Sequence, residues 1–344
     1  MLELRCLKAE HGDAFIIRIG DDKENHYIVV DGGPSSKYCI DDIIEELNRL
    51  PVIDLMVLTH YDDDHIAGLI EYISGYNGKT LPVKQIWANC SKDITINLSS
   101  SISYSQANTL DNLLNEFCAK QELQRCDEID CTMPPVDLGF CTIQVLSPTP
   151  SALFVNKEQY VEKVAKIASI RVEQDAKISL EDLSKRPLKP KHDGEDVINR
   201  SSMALLIEAE GKTLLMMGDA DPWVVYNKIK CMERQMGKKV KVDFAKVSHH
   251  GSKNNTCNEL LDAIDCYNFI ISTNGGESNS YHPDRETLAK LLCHPSRNCD
   301  KEVNLYFNYP LKEIEERTGE LLTEQEIQEH KCTIRDNVDA INLN

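Results

Sequence analysis

An α/β fold, arranged as a four-layer αβ/βα sandwich of two similar halves, is what the sequence predicts. Three observations carry that expectation. Short apolar runs rich in branched residues alternate with segments whose apolar residues recur at helical spacing. One such run, Ile53-Asp54-Leu55-Met56-Val57-Leu58, delivers a loop in which His60, Asp62, Asp64 and His65 crowd together just before a helix begins. The order of elements leading to this loop then recurs in the second half of the chain. Imidazole nitrogen and carboxylate oxygen at that density suit Zn²⁺ or Mn²⁺. An ordinary acidic surface turn rarely follows a buried strand with so many ligands.

The elements follow in order. Leu2 to Leu7 alternates as a strand does, His11-Gly12-Asp13-Ala14 makes a turn, and Phe15 to Ile19 forms a second strand. Tyr27-Ile28-Val29-Val30 is a third, ending in Asp31-Gly32-Gly33-Pro34, a sharp turn that leaves the Asp31 carboxylate at a strand tip. Ile43, Ile44, Leu47 and Leu50 mark a helix closed by Pro51. After the ligand-dense loop a helix opens at Ile66. A strand at 83–87, a serine-rich stretch, a helix from Asn108 to Lys120 and a strand at 141–146 come next. Residues from about 151 to 197 are charged and lysine-rich and read as a surface insertion of solvated helix. The hairpin 202–217 about Glu210-Gly211 ends in Gly218-Asp219-Ala220. A helix starts at Pro222, a first-turn residue. The strand 242–247 leads to Ser248-His249-His250-Gly251-Ser252. A helix, a strand at 269–272, Tyr281-His282-Pro283 and a helix from Arg285 to Leu292 complete a domain spanning 1–310. Residues 311–344 read as a peripheral acidic tail.

The chain is long enough to bury a full core. Its net charge of −18 argues against nucleic acid held across the whole surface, but not at a site where bound dications reverse the local potential. No apolar run is long enough to span a bilayer, and Met1-Leu2-Glu3-Leu4-Arg5 does not open a secretory signal. The 13 cysteines are scattered without a C-x-x-C pair, which fits reduced thiols. A cytoplasmic protein without membrane association is expected. His11, His26, His192, His294 and His330 have no partner spacing and read as surface or packing residues. Cys293-His294 with Cys299 lacks the second pair of a Cys-type zinc site.

The two halves repeat in register. From strand-end Asp31 to His60, and from Asp219 to His249, the interval is about thirty residues, and Asp54 stands to His60 as Asp243 stands to His249. Two β/α layers packed face to face would bring His60, Asp62, Asp64, His65, Asp219 and His249 together at one edge. The same register selects His249 over His250.

As a set, Asp31-Gly32-Gly33, His60-x-Asp62-x-Asp64-His65, Gly218-Asp219-Ala220 and Ser248-His249-His250-Gly251-Ser252 resemble the motifs of the metallo-β-lactamase fold superfamily. Gly12-Asp13-Ala14, Asn199-x-x-Ser202 and Tyr281-His282-Pro283 resemble its ComEC/Rec2 branch of DNA-uptake proteins, namely the soluble hydrolase domain and its stand-alone relatives. The match runs from about residue 2 to 292, leaving out the insertion and the tail.

The resemblance implies two divalent cations, Zn²⁺ or Mn²⁺. His60 and Asp62 would hold the first, Asp64, His65 and His249 the second, with Asp219 bridging. Asp62 stands where many members have a histidine, and Asn199 and Ser202 lie where a further ligand is usual. The oxygen-rich first site favours Mn²⁺. Asp64, His282 and Asp31 form the expected catalytic set, Asp31 by hydrogen-bonding a ligand and His282 by meeting a phosphate or protonating a leaving oxygen. His250 is expected behind a ligand or facing substrate. The implied function is a metal-dependent phosphodiesterase, a nuclease on DNA or RNA, with an antiviral defence assembly and its protein partner as a setting. The alternatives are a small-molecule cyclic-nucleotide or ester hydrolase and an inactive scaffold of the same fold.

Overall fold

Both faces of the central strands are apolar, so each sheet must be covered on both sides. The computed structural model describes residues 1–21, 23–89, 102–158, 175, 177–192, 195–277 and 280–343. The first sheet takes β1 (Leu2–Cys6), β2 (Phe15–Gly20), β3 (Asn25–Val30), β4 (Ile53–Leu58), β5 (Val83–Ala88) and β6 (Gln124–Cys126). Its helices are α1 (Lys37–Asn48), α2 (Asp63–Ser74) and α3 (Ile102–Lys120). The second half contributes β7 (Val136–Asp137), β8 (Thr142–Ser147), β9 (Ala204–Ala209), β10 (Lys212–Met216), β11 (Val240–Lys241), β12 (Phe244–Lys246), β13 (Ile264–Asp265) and β14 (Asn268–Ile271). Then come β15 (Val303–Phe307), β16 (Cys332–Arg335) and β17 (Ala340–Asn342). Helices of this half are α4 (Pro150–Glu158), α5 (Leu180–Ser184), α6 (Val197–Arg200), α7 (Pro222–Met236) and α8 (Asn258–Ala263). They are followed by α9 (Arg285–Cys293), α10 (Leu311–Thr318) and α11 (Glu324–Glu329).

The strand orders are β17-β1-β2-β3-β4-β5-β6 and β16-β15-β14-β12-β10-β9-β8-β7, with β11 and β13 paired apart. Successive residues of a strand face opposite layers. Val57 and Met216 therefore join Phe15, Ile143 and Leu205 between the sheets. Met56 and Leu58 meet Ile66, Leu69 and Leu110 of the first helical layer, and Leu215 meets Val225, Ile229 and Leu288 of the other. The four-layer sandwich expected from the sequence is the observed architecture.

The repeat is physical. β3 is antiparallel to β2 and parallel to β4, and β10 is antiparallel to β9 and parallel to β12. The paired aspartates do the same task in each half. Asp54 Oδ2 accepts from the backbone N–H of Tyr27 at 2.9 Å, and Asp243 Oδ2 from that of Thr213 at 3.0 Å.

Several expectations are corrected. Residues 311–344 are not peripheral, because β16 extends the second sheet beside β15 and β17 extends the first beside β1. The edge strands are short and partly polar, so composition hides them. Helix α2 begins at Asp63 rather than Ile66, and α3 begins at Ile102. Residues 159–174 of the expected insertion lie outside the described residues. Among those described, no helix is long and apolar enough to cross a membrane, and the cysteines are free thiols.

Gly68 of α2 lies against the turn after β3, and a Cβ there would meet the Gly32 carbonyl oxygen at 1.9 Å. Alanine would gain about 1 kcal/mol of helix propensity. Overpacking against backbone that cannot swing away costs about 1–3 kcal/mol. Gly68→Ala is expected to lower stability on balance, read as a lower urea midpoint; a raised midpoint would contradict this close approach.

Candidate metal centre

At the tip of β4, Thr59 turns towards the adjacent strand end of β3. Its N–H donates to Asp31 Oδ1 at 2.7 Å and its hydroxyl to Asp31 Oδ2 at 2.7 Å. The same Oδ2 lies 2.8 Å from His65 Nδ1. A carboxylate on Nδ1 fixes the ring and leaves Nε2 for a ligand. Both Asp31 oxygens are thus taken up, and Asp31 acts through His65 rather than at a reacting group.

His65 Nε2 lies 3.6 Å from Asp219 Oδ1 and 3.8 Å from Asp64 Oδ2. His60 Nε2 lies 3.8 Å from the other oxygen of Asp219, Oδ2, and 3.6 Å from Asp62 Oδ2. Asp219 is presented from the turn after β10, where Gly218 has φ 49°. A Cβ on Gly218 would come within 2.6 Å of Ser202 Oγ. That hydroxyl accepts from the Asp219 N–H at 3.0 Å, so Ser202 holds the aspartate from behind.

His250 stands on the side expected for His249, beside Asp64 and His65, and His249 stands on the other side of Asp219. His250 Nε2 lies 3.4 Å from Asp64 Oδ2 and 3.9 Å from Asp219 Oδ1, on the His65 side. His249 Nδ1 lies 3.7 Å from Asp219 Oδ2, on the His60 side, and 3.4 Å from Asn199 Nδ2. Extended chain would send the two rings to opposite faces. Here His249 (φ 50°, ψ 52°) and His250 (φ 54°, ψ 18°) are both left-handed, which curls both imidazoles towards the centre. Such conformations cost on the order of 1–3 kcal/mol each and persist where surrounding structure enforces them. Asn199, expected near a first cation, touches His249. The ring of His282 lies 5.5 Å from that of His249, and its Nδ1 is 3.2 Å from Asp284 Oδ2.

Two residues outside the expected set complete the centre. Lys246, the last residue of β12, is fully buried; its ammonium pairs with Asp13 and donates to the Gly218 carbonyl at 3.0 Å. Asp13 Oδ1 is 3.5 Å from His250 Nδ1, which also lies 2.9 Å from the Ser272 carbonyl oxygen. A lysine inside the apolar run 242–247 was the available sequence signal. Asp13 stood in the Gly12-Asp13-Ala14 motif without an assigned role.

His60 Nε2, His65 Nε2, His250 Nε2 and Asp219 Oδ1 are buried and make no hydrogen bond among the described residues. Leaving a buried polar atom unsatisfied costs about 1–3 kcal/mol. Asp13, His65, Asp219 and His250 each bring a ligand atom within 4.8 Å of the others. The donor set, imidazole and carboxylate without sulfur, fits a divalent metal ion.

Charges at the centre act strongly on one another. Burial opposes charge on Asp219, yet His249, His65 and His250 hold it well below the usual carboxylate range. Asp64 is lowered despite its burial by His65 and His250. Burial also opposes charge on His65, but Asp219, Asp64 and Asp31 raise it well above the ordinary imidazole range. His250 is raised by Asp13 and Asp219 against the same effect. For His249 burial prevails, with help from His282 and His250, and lowers it to about 4 against the pull of Asp219.

Strand-end Asp31 and Asp219, the His-x-Asp-x-Asp-His loop after β4 and the His-His turn after β12 meet at one edge of an αβ/βα sandwich. This architecture and these motifs resemble those of metallo-β-lactamase fold proteins. No protein-family model matches it. Over 160 residues it is 26% identical to ComE operon protein 3 of Bacillus subtilis (strain 168), a match covering 45% of this chain and 20% of that protein. The chain therefore aligns with about a fifth of that relative's length. Among solved structures it is similar to Zn²⁺-bound PqqB from Methylobacterium extorquens, at 10% identity and TM-score 0.45, with 99% of each chain covered. It is similar to unliganded yeast PDE1 at 10% identity and TM-score 0.45, with 98% of each chain covered. The metallo-β-lactamase fold protein YhfI from Bacillus subtilis gives 10% identity and TM-score 0.43, covering 99% of this chain and 98% of that one.

Lys246→Met would leave Asp13 charged and buried without its cation, a change that costs about 3–5 kcal/mol. Asp13→Asn in the same chain should restore part of the loss, because no charge is then stranded. Urea unfolding of wild type, single and double variants measures both. A double variant no more stable than Lys246→Met would contradict the pairing.

Proposed function

We propose that the protein is a metal-dependent hydrolase of phosphodiesters, acting on nucleic acid. The observation that carries the proposal is the position of Asp219. Its Oδ2 faces His60 and His249, and its Oδ1 faces His65 and His250. One carboxylate between two imidazole-containing clusters is what a pair of neighbouring cations requires. His60, His249 and Asp62 would hold one, and Asp64, His65 and His250 the other.

When bound, such a pair makes water nucleophilic near neutral pH and clamps the attacking and leaving oxygens of an in-line displacement. The chain supplies the rest. Asp31 and the Ser272 carbonyl lie on the Nδ1 sides of His65 and His250, leaving their Nε2 atoms aimed inwards. Asp284 faces Nδ1 of His282, so Nε2 is the nitrogen left to meet a phosphate oxygen or hand a proton to a leaving group. The motif resemblance to the ComEC/Rec2 branch supports a nucleic-acid substrate, and an effector role in a larger assembly would use this same centre.

One observation favours a small phosphodiester instead. Four lysines near 228–241 are engaged within the chain: Lys228 with the Cys131 carbonyl, Lys230 with Glu233, Lys239 with the Asp262 carbonyl and Lys241 with Asp243. The cations themselves would then supply most of the attraction for a polyanion.

The test is hydrolysis of single-stranded DNA, duplex DNA, RNA and bis(p-nitrophenyl) phosphate with Mn²⁺, Zn²⁺, Mg²⁺ or EDTA. Polymer cleavage that Mn²⁺ supports best and EDTA abolishes is expected. Asp64→Ala and Asp219→Ala should lose about 100-fold or more, beyond the 10–100-fold typical for groups behind a metal ligand. Turnover unchanged in either folded variant would reject the assignment. Cleavage of the small ester alone would move the substrate to a small phosphodiester.

A further inference from the structure

At the C-terminal end of α9, three residues with metal-binding chemistry meet. They are Glu181 in the first turn of α5, Cys293 at the last position of α9, and His330 just after α11. Nothing in their spacing suggests a site, because the fold assembles them from three separate elements. His330 Nε2 is 3.4 Å from Glu181 Oε1 and 3.9 Å from Cys293 Sγ, and His330 Nδ1 is 3.5 Å from the same sulfur. One ligand atom from each lies within 4.8 Å of the other two.

Tetrahedral zinc holds sulfur at about 2.3 Å and nitrogen or oxygen at about 2.0–2.2 Å, which puts neighbouring ligand atoms about 3.3–3.6 Å apart. The separations through His330 Nε2 are at that edge length or a few tenths of an ångström beyond it. The backbone that carries the ligands is also fixed. Ser179 caps α5 by accepting from Asp182 N–H, and Asn258 Nδ2 donates to the Ser184 carbonyl at 2.8 Å. Thr323 and Glu326 form a capping box at the start of α11, Glu326 pairs with Arg285, and Arg297 donates to the His330 carbonyl. Closing the ligand set on Nε2 requires Cys293 Sγ, now nearer Nδ1, to turn to the Nε2 side of the His330 ring, a side-chain rotation on this fixed backbone.

We propose that Glu181, Cys293 and His330 form a second, thiolate-containing site for a soft divalent cation of the Zn²⁺ class. It would be independent of the proposed hydrolytic centre. A thiolate and a carboxylate bring two negative charges to match the dication, and neutral imidazole adds a third ligand. Solvent takes the fourth position beside the exposed Glu181. On binding, the Cys293 S–H bond is replaced by a sulfur–metal bond and the proton goes to solvent. The site would tie α5, the C-terminal end of α9 and the segment leading into β16. His282 and Asp284 precede the other end of α9, about 13 Å away along a nine-residue helix. The cation would therefore brace the helix that starts at the candidate centre without reaching the chemistry.

Cobalt separates the two sites, because the described residues of the His/Asp centre include no sulfur. Full-length protein titrated with Co²⁺ is expected to develop near-ultraviolet sulfur-to-cobalt charge-transfer absorption. That absorption should vanish in Cys293→Ser and survive in Asp219→Ala, with bound metal lower in each. Glu181→Gln changes an exposed side chain and should shift the titration to higher Co²⁺ while keeping the band, which serves if Cys293→Ser does not fold. No sulfur-to-cobalt band in the wild type, or a band untouched by both variants, would overturn the proposal. Neither result bears on hydrolysis at the other centre.

Discussion

Balancing buried negative charge is the constraint on which the rest of this structure depends. Asp13, Asp31 and Asp219 are buried within one hydrogen-bonded neighbourhood, with Asp64 at its rim. Removing charges from water is expensive unless partners with good geometry compensate. Lys246 compensates Asp13, Thr59 and His65 compensate Asp31, and four imidazoles surround Asp64 and Asp219. The loop lengths, the glycines at 12, 32, 68 and 218 and the left-handed histidines all bring these groups within a few ångströms. Fold and chemistry are therefore coupled at one edge of the sandwich.

The ligand-bearing loop was legible because residue type and spacing are local properties. His60, Asp62, Asp64 and His65 sit where a buried strand gives way to a helix, as the apolar run before them indicates. Asp219 was legible through the repeat, and the matching contacts of Asp54 and Asp243 give that repeat a physical basis: each aspartate satisfies an N–H of the neighbouring strand. The same register misplaced His249 and His250. It assumed extended backbone, and nothing in Ser-His-His-Gly announces two consecutive positive φ values.

Other omissions have different causes. Lys246 is a single charge in an apolar strand, and only the opposite half of the chain, with Asp13, explains its burial. β16 and β17 were invisible because edge strands need only one apolar face and are short enough to pass for polar tail. Glu181, Cys293 and His330 could not be grouped from sequence, since their proximity follows from helix packing across the second sheet.

Both halves of the chain contribute to each cluster around Asp219, and this has a consequence for biosynthesis. His60 and His65 leave the ribosome long before their partners exist. The 190 residues from His60 to His250 take about 10–40 s to synthesise at ordinary elongation rates. During that interval the nascent chain presents an Asp- and His-rich loop with no second half to enclose it. A cation held in the finished geometry would enter late, after β12 has docked beside β10, and would seal the fold rather than nucleate it.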